Sequence, residues 1–205
     1  EKTASVLVRE GRRRRRQQRE RAQPCSNDQW HAQQASTVHG HAPFRQHDFP
    51  VRLAAVTHGG PIGPGSQLDG FVIEAVAGRG GMGVVYRARQ HRPDRLVALK
   101  VIASDMAADP EFRVRFERES SIAAQIEHPN VIPVHAVGEA DGVLYIAMRF
   151  IDGVDMRTLL AEAGRLEPRR AATIVDQVAH ALDAAHAHGL VHRDVKPANI
   201  LVTED

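Results

Sequence analysis

The glycine-rich run Gly78-Arg79-Gly80-Gly81-Met82-Gly83 constrains the fold of this chain more than any other segment. It lies between two apolar runs, Phe71 to Ala77 and Val84 to Ala88. Glycines at this spacing allow positive φ and let backbone N–H groups approach phosphate oxygens with no Cβ in the way. Dinucleotide-binding folds use the same spacing, but there a helix must follow directly. Here Val84-Val85-Tyr86 continues with β-branched and aromatic residues, so two strands joined by a glycine turn are implied.

The segment from Leu96 to about Ile102 reads as a further strand, with Lys100 inside it. A lysine in such a setting either snorkels from an edge or requires a partner. A helix follows, with Asp109 as N-cap and Pro110 at its first position, running to about Ile126. Phe112, Phe116, Ala123 and Ile126, with Ile122 beside them, recur at three-to-four spacing and define its apolar face. Glu119 falls three residues from both Phe116 and Ile122, so it points toward that face and needs a cation, for which Lys100 is the candidate. Glu117 is the rival carboxylate, turned away by helical geometry. Val131 to Val137 and Val143 to Met148 read as two more strands around the turn Glu139-Ala140-Asp141-Gly142. A short helix from Met156 to Ala163, ended by Gly164, precedes a longer one from Pro168 to about His188. In the longer helix Ile174, Val178, Ala181, Leu182 and Ala185 form a stripe, with Gly189 as C-cap. His180, His186 and His188 lack a Cys or carboxylate cluster at ligand spacing, and a solvated face explains them.

The long helix delivers the chain into His192-Arg193-Asp194-Val195-Lys196-Pro197-Ala198-Asn199. Asp, Lys and Asn at these spacings suit phosphoryl transfer: a carboxylate for the attacking hydroxyl, an ammonium for charge on the moving group, and an amide oxygen for Mg²⁺. A His-Arg-Asp tripeptide alone could be a charged turn, but Lys196, Pro197 and Asn199 extend it into a site.

Taken in order, the glycine loop, Val97-Ala98-Leu99-Lys100, Glu119 ahead of His128-Pro129-Asn130, and the loop around Asp194 resemble the protein kinase superfamily. Lys196 and the wording Gly-Met-Gly-Val-Val-Tyr are most similar to bacterial Ser/Thr kinases of the eukaryotic-like type. The resemblance spans about Phe71 to Asp205. It implies an α+β, bilobal fold: an antiparallel five-stranded N-lobe with one helix at about 67–148, a hinge at 149–153, and an incomplete, helical C-lobe at 154–205. It further implies ATP and Mg²⁺ as cofactors and proteins with Ser/Thr hydroxyls as substrates, and it allows a kinase homodimer. Ala77, Gly78, Arg79, Gly80, Gly81, Met82, Gly83, Val84, Val85, Ala98, Lys100, Glu119, Met148 and Leu201 are then the ATP-binding residues. Asp194 and Lys196 are the catalytic pair, and Asn199 is the metal ligand. Met148 takes the gatekeeper position behind adenine, although by its residue type alone it reads as ordinary core. Ala77 stands where a larger aliphatic is common, and Arg149 where many relatives carry Glu. Since hinge contacts to adenine come from the backbone, Arg149 is expected to alter surface charge more than binding. Arg193 implies regulation by a phosphorylated activation loop.

Residues 1–66 differ in composition. Gly11-Arg12-Arg13-Arg14-Arg15-Arg16, scattered Gln and His, and Gly59-Gly60-Pro61-Ile62-Gly63-Pro64-Gly65 show no persistent period, so a disordered basic extension or a mispredicted translation is expected. The arginine run lacks interleaved aromatics, so no specific nucleic acid partner is expected. Net charge is only +2, which makes the basic excess local. Cys25 is the single cysteine, which excludes an intramolecular disulfide and fits a reducing, cytoplasmic setting. No transmembrane run occurs, although the parent protein could be anchored through a segment beyond Asp205. The Asp-Phe-Gly segment of the family is absent from these 205 residues. Little kinase activity, a partly exposed stripe on the long helix and poor solubility are therefore expected of them.

Overall fold

The computed structural model describes residues 6–10, 56–57 and 60–203. Four short strands come first: β1 (Val6–Arg9), β2 (Val56–Thr57), β3 (Gly60–Pro61) and β4 (Gln67–Leu68). β5 (Phe71–Gly80), β6 (Gly83–His91) and β7 (Asp94–Ile102) follow, then helices α1 (Ser104–Ala107) and α2 (Pro110–Ala123). β8 (Val134–Ala140), β9 (Val143–Arg149) and β10 (Val154–Asp155) lead to α3 (Met156–Ala163), α4 (Pro168–Ala187), a 3₁₀ turn at Pro197–Asn199 and β11 (Ile200–Thr203).

The main sheet has the order β4-β5-β6-β7-β9-β8, every neighbouring pair antiparallel. Five long strands are present, as the sequence implies, but β8 begins at Val134 and takes in Glu139 and Ala140, expected in the turn, and β4 adds two residues at the edge. Alternation sorts the side chains. Val84, Tyr86, Val97, Leu99, Val101, Tyr145 and Ala147 pack on one face with Phe71 and Ile73. Leu144, Ile146 and Met148 face the other way, where α2 lays Phe112 and Phe116 against them. β9 has neighbours on both edges and layers on both faces, which is why it reads as an unbroken apolar run. Asp141 and Gly142, with φ of 50° and 76°, make the tight turn into it.

α2 begins as its sequence dictates: the Asp109 carboxylate accepts from the Glu111 N–H at 2.9 Å, and Pro110 occupies the first turn. It ends at Ala123, and Gln125 and Ile126 close a turn onto the Ile122 and Ala123 carbonyls. In α4, Glu167 caps the start by accepting from the Arg170 N–H at 3.0 Å, and Gly189 leaves the end with φ 73°.

Two expectations need correction. Val6–Arg9, placed in an unstructured extension, forms a strand parallel to β11, with Val6, Leu7 and Val8 buried. Most of the α4 stripe is covered: Ile174, Val178, Ala181 and Ala185 are buried against Val6, Val8, Ala123, Ile126 and Val131, while Leu182 stays half-buried. One correction explains the other, because β1 supplies part of the apolar layer over α4. The basic run Gly11–Arg16 lies outside the described residues. Among the described residues, no helix is long and apolar enough to cross a membrane.

Candidate active site

Strand register brings the first group of site residues together. Val85 lies opposite Lys100, Lys100 opposite Ile146, and Ala98 opposite Met148. Because side chains alternate, Val85, Ala98, Lys100 and Met148 share one face of the sheet. Ala98 and Leu201 both pack on the cluster that holds Met148, so strands from before and after the hinge approach each other there. Val84 belongs to the opposite face, fully buried beside Val101, and can serve the site only through its backbone. Ala77 and Arg79 are exposed along β5.

The glycine hairpin closes in two residues, Gly81 and Met82. Its glycines are not equivalent. Gly83 has φ 141°, and a Cβ there would sit 1.9 Å from the Val101 carbonyl oxygen, so the fold itself forbids a side chain. At Gly78, Gly80 and Gly81 a Cβ would meet nothing within 4 Å. Packing within the chain does not require glycine at those three positions. A cradle of this kind, with backbone N–H groups and no side chains, fits phosphate oxygens.

On α2, Glu119 is half-buried whereas Glu117 is exposed, which agrees with the apolar-face assignment. One Glu119 carboxylate oxygen lies 3.9 Å from Nη1 of Arg193. The helix is thereby drawn to the loop after α4 as well as to the sheet. Arg193 adopts φ 58°, a left-handed conformation costing a residue with Cβ about 1–3 kcal/mol. The buried His192 helps hold this turn, its Nδ1 accepting from the Asp194 N–H at 3.3 Å.

The turn converges on one carboxylate. Asn199 Nδ2 donates to Asp194 Oδ2 at 2.9 Å and to the Asp194 carbonyl at 2.8 Å. Lys196 Nζ lies 3.0 Å from the same Oδ2, while its side chain stays half exposed. The 3₁₀ turn at Pro197–Asn199 sets this spacing, with the Asn199 N–H donating to the Lys196 carbonyl at 2.9 Å. A carboxylate held by an amide and an ammonium has a fixed direction, which general-base work requires. For a divalent cation the chain offers hard oxygens, the Asn199 Oδ1 left over once Nδ2 is engaged, and the Asp194 carboxylate. Among the described residues no group of three His, Cys, Asp or Glu could hold a metal, and His180, His186 and His188 are exposed.

The protein kinase domain model matches residues 71–205, well over half of the chain. The chain belongs to the protein kinase family. Its kinase domain is 48% identical over 141 residues to the Ser/Thr-protein kinase PknE of Mycobacterium bovis, covering 69% of this chain and 25% of that protein. It is 45% identical over 141 residues to PknH of Mycobacterium tuberculosis, covering 69% and 22%. The crystal structure of the Mycobacterium tuberculosis PknI kinase domain superposes with a TM-score of 0.63 at 39% identity, over 69% of this chain and 62% of that one. This kinase sequence thus spans about a quarter of the curated relatives and under two thirds of the solved domain.

Sequence reasoning missed the contact of Arg193 with Glu119, the half-exposed bidentate pair of Arg170 with Glu10, and the bond from the Tyr145 hydroxyl to Asp69. Each joins residues distant along the chain, and no local spacing signals them.

Proposed function

We propose that this chain carries the nucleotide lobe and catalytic loop of an ATP-dependent protein kinase acting on Ser and Thr hydroxyls. The observation that supports this most is the convergence of Asn199 Nδ2 and Lys196 Nζ on Asp194 Oδ2, at 2.9 and 3.0 Å. Held in this way, the Asp194 carboxylate orients an incoming hydroxyl and accepts its proton. Lys196 neutralises charge on the phosphoryl oxygens. Lys100 binds the α/β-phosphates, and Glu119 positions it. Val85, Ala98, Met148 and Leu201 enclose the adenine, and the N–H groups of Gly78 to Gly83 bind phosphate. Asn199 would hold Mg²⁺, which when bound screens the charge on the phosphates.

A second reading, nucleotide binding without transfer, is favoured by the observation that, among the described residues, no group of three His, Cys, Asp or Glu could hold a metal. Two measurements separate them. An ATP analogue with Mg²⁺ is titrated into the chain and into Lys100→Ala, and phosphate transfer from labelled ATP to a Ser/Thr protein is followed with and without Asp194→Asn. Binding weakened at least about tenfold by Lys100→Ala supports the nucleotide site. Transfer reduced by roughly 10²–10⁴ in Asp194→Asn supports the kinase reading. Binding without transfer selects the second reading, and absence of both rejects the two together.

A further inference from the structure

β5 departs from regular pairing where it meets Arg87. Ile73 lies opposite Ala88 and Ala75 opposite Arg87, so Glu74 is the extra residue of a β-bulge. Bulges re-aim side chains, and they recur beside active sites. Here the Glu74 carboxylate reaches Arg87, with Oε2 2.9 Å from Nε. The same guanidinium also lies over an aromatic ring, its carbon 5.7 Å from the centroid of Phe150. Phe150 is the first residue after β9. One side chain therefore joins β5, β6 and the segment in which the chain leaves the sheet.

Register decides which side of the sheet this contact occupies. Arg87 lies opposite Ala98, and Ala98 opposite Met148. Arg87 thus shares the face of Val85, Ala98, Lys100 and Met148. Ala98 puts only a methyl group between Arg87 and β9 in that row. The next arginine along β6 behaves differently: Arg89 turns to Asp94 within its own hairpin, Nε to Oδ1 at 2.7 Å and Nη2 to Oδ2 at 2.6 Å.

Both contacts of Arg87 are partly solvated, the Arg87 side chain being 48% exposed and that of Glu74 32%. An exposed ion pair and an exposed cation–π contact are each weak, so together they suit a latch that opens and recloses better than a fixed brace. The hairpin held by this latch carries the glycine loop at its other end, where a Cβ at Gly78, Gly80 or Gly81 would meet nothing within 4 Å. With so little packing at the tip, the attachment near the root governs how far the hairpin lifts.

We propose, building on the nucleotide site described above, that Arg87 is a positioning residue. The Glu74–Arg87–Phe150 clasp fastens the glycine hairpin to the segment after β9 and retards release of an adenine nucleotide from the face bearing Val85 and Ala98.

Stopped-flow dissociation of a fluorescent ATP analogue with Mg²⁺ from the full chain tests this. Arg87→Met keeps an unbranched stem without the charge and should speed dissociation about three- to tenfold. Phe150→Leu keeps an apolar side chain without a π-face and should speed it about two- to threefold. The double variant should release no faster than Arg87→Met alone, because Phe150 acts through the guanidinium. Arg87→Lys leaves a cation over the ring and should recover part of the parent rate. Glu74→Arg with Arg87→Glu restores an ion pair but sets a carboxylate over the ring, and should not. A readout without nucleotide comes from NMR: the ring current of Phe150 should displace the Arg87 side-chain signals, and Phe150→Leu should abolish the displacement. Parent-like dissociation from Arg87→Met, additive effects of the two single substitutions, or absence of the ring-current displacement would each overturn the clasp and leave the nucleotide site standing. A parent chain that does not bind the analogue would overturn the nucleotide site, and the role of Arg87 with it.

Discussion

Placing a methyl group at Gly83 and at Gly80 separates what the fold needs from what a phosphate needs. At Gly83 the new Cβ would lie 1.9 Å from the Val101 carbonyl oxygen, 3.0 Å from its carbon and 3.1 Å from the Ala103 nitrogen. All three are backbone atoms of or next to β7, so relief requires the hairpin to move. The φ of 141° adds a conformation that residues with Cβ rarely adopt. Backbone strain of about 1–3 kcal/mol and overpacking of about 1–3 kcal/mol give roughly 2–6 kcal/mol for Gly83→Ala. The corresponding loss in melting temperature is on the order of 10 °C. Gly80→Ala meets nothing within 4 Å and should stay within about 0.5 kcal/mol of the parent. It should nevertheless weaken ATP binding by roughly tenfold, because its methyl occupies the approach to the backbone N–H groups. Urea unfolding followed by circular dichroism reads the first effect, and calorimetric titration with an ATP analogue reads the second. The reasoning fails if Gly83→Ala unfolds within about 1 kcal/mol of the parent. It fails equally if Gly80→Ala binds the nucleotide as tightly as before.

Burial and the Asp69 carboxylate raise the Tyr145 phenol above its ordinary range, and burial raises that of Tyr86, so the folded chain retains protons the unfolded chain releases near pH 10. Stability should therefore be undiminished below that pH and fall above it, and Tyr145→Phe should flatten the fall in urea midpoints between about pH 9 and 11. His135 is shifted down, by burial first and then by Arg95 and Arg149, so its contribution is present above about pH 6.5 and lost as pH falls; His135→Gln should remove that acid-side slope. Leu7→Ala should cost about 2–4 kcal/mol in urea unfolding, since Leu7 is 3% exposed between α2 and β9; a cost below about 1 kcal/mol would mean the strand is not packed there.

Features that rest on neighbouring residues were legible. Asp109 and Pro110 announce a helix start because the capping bond closes within two residues. The Asp194 turn announces a site because Lys196 and Asn199 reach its carboxylate from two and five residues away. The half-buried state of Glu119 against the exposure of Glu117 follows from helical geometry alone. The faces of β6 were harder to read, since a run of apolar residues hides the alternation. Only the register Val84↔Val101 and Val85↔Lys100 puts Val85 on the site face and Val84 behind it. β1 was illegible: four residues beside an arginine-rich run carry too little pattern, and their hydrogen-bonding partners lie beyond residue 120.

The sequence by itself determined the glycine hairpin, the capped helix that carries Glu119, and the loop that gathers Asp194, Lys196 and Asn199. In each case the forces act across a few residues and leave a local spacing. Tertiary structure alone decided that Val6–Glu10 is a core strand, that it covers the α4 stripe, and that Arg193 reaches Glu119. Those contacts join chain segments many tens of residues apart, where burial and pairing depend on what the rest of the fold brings alongside.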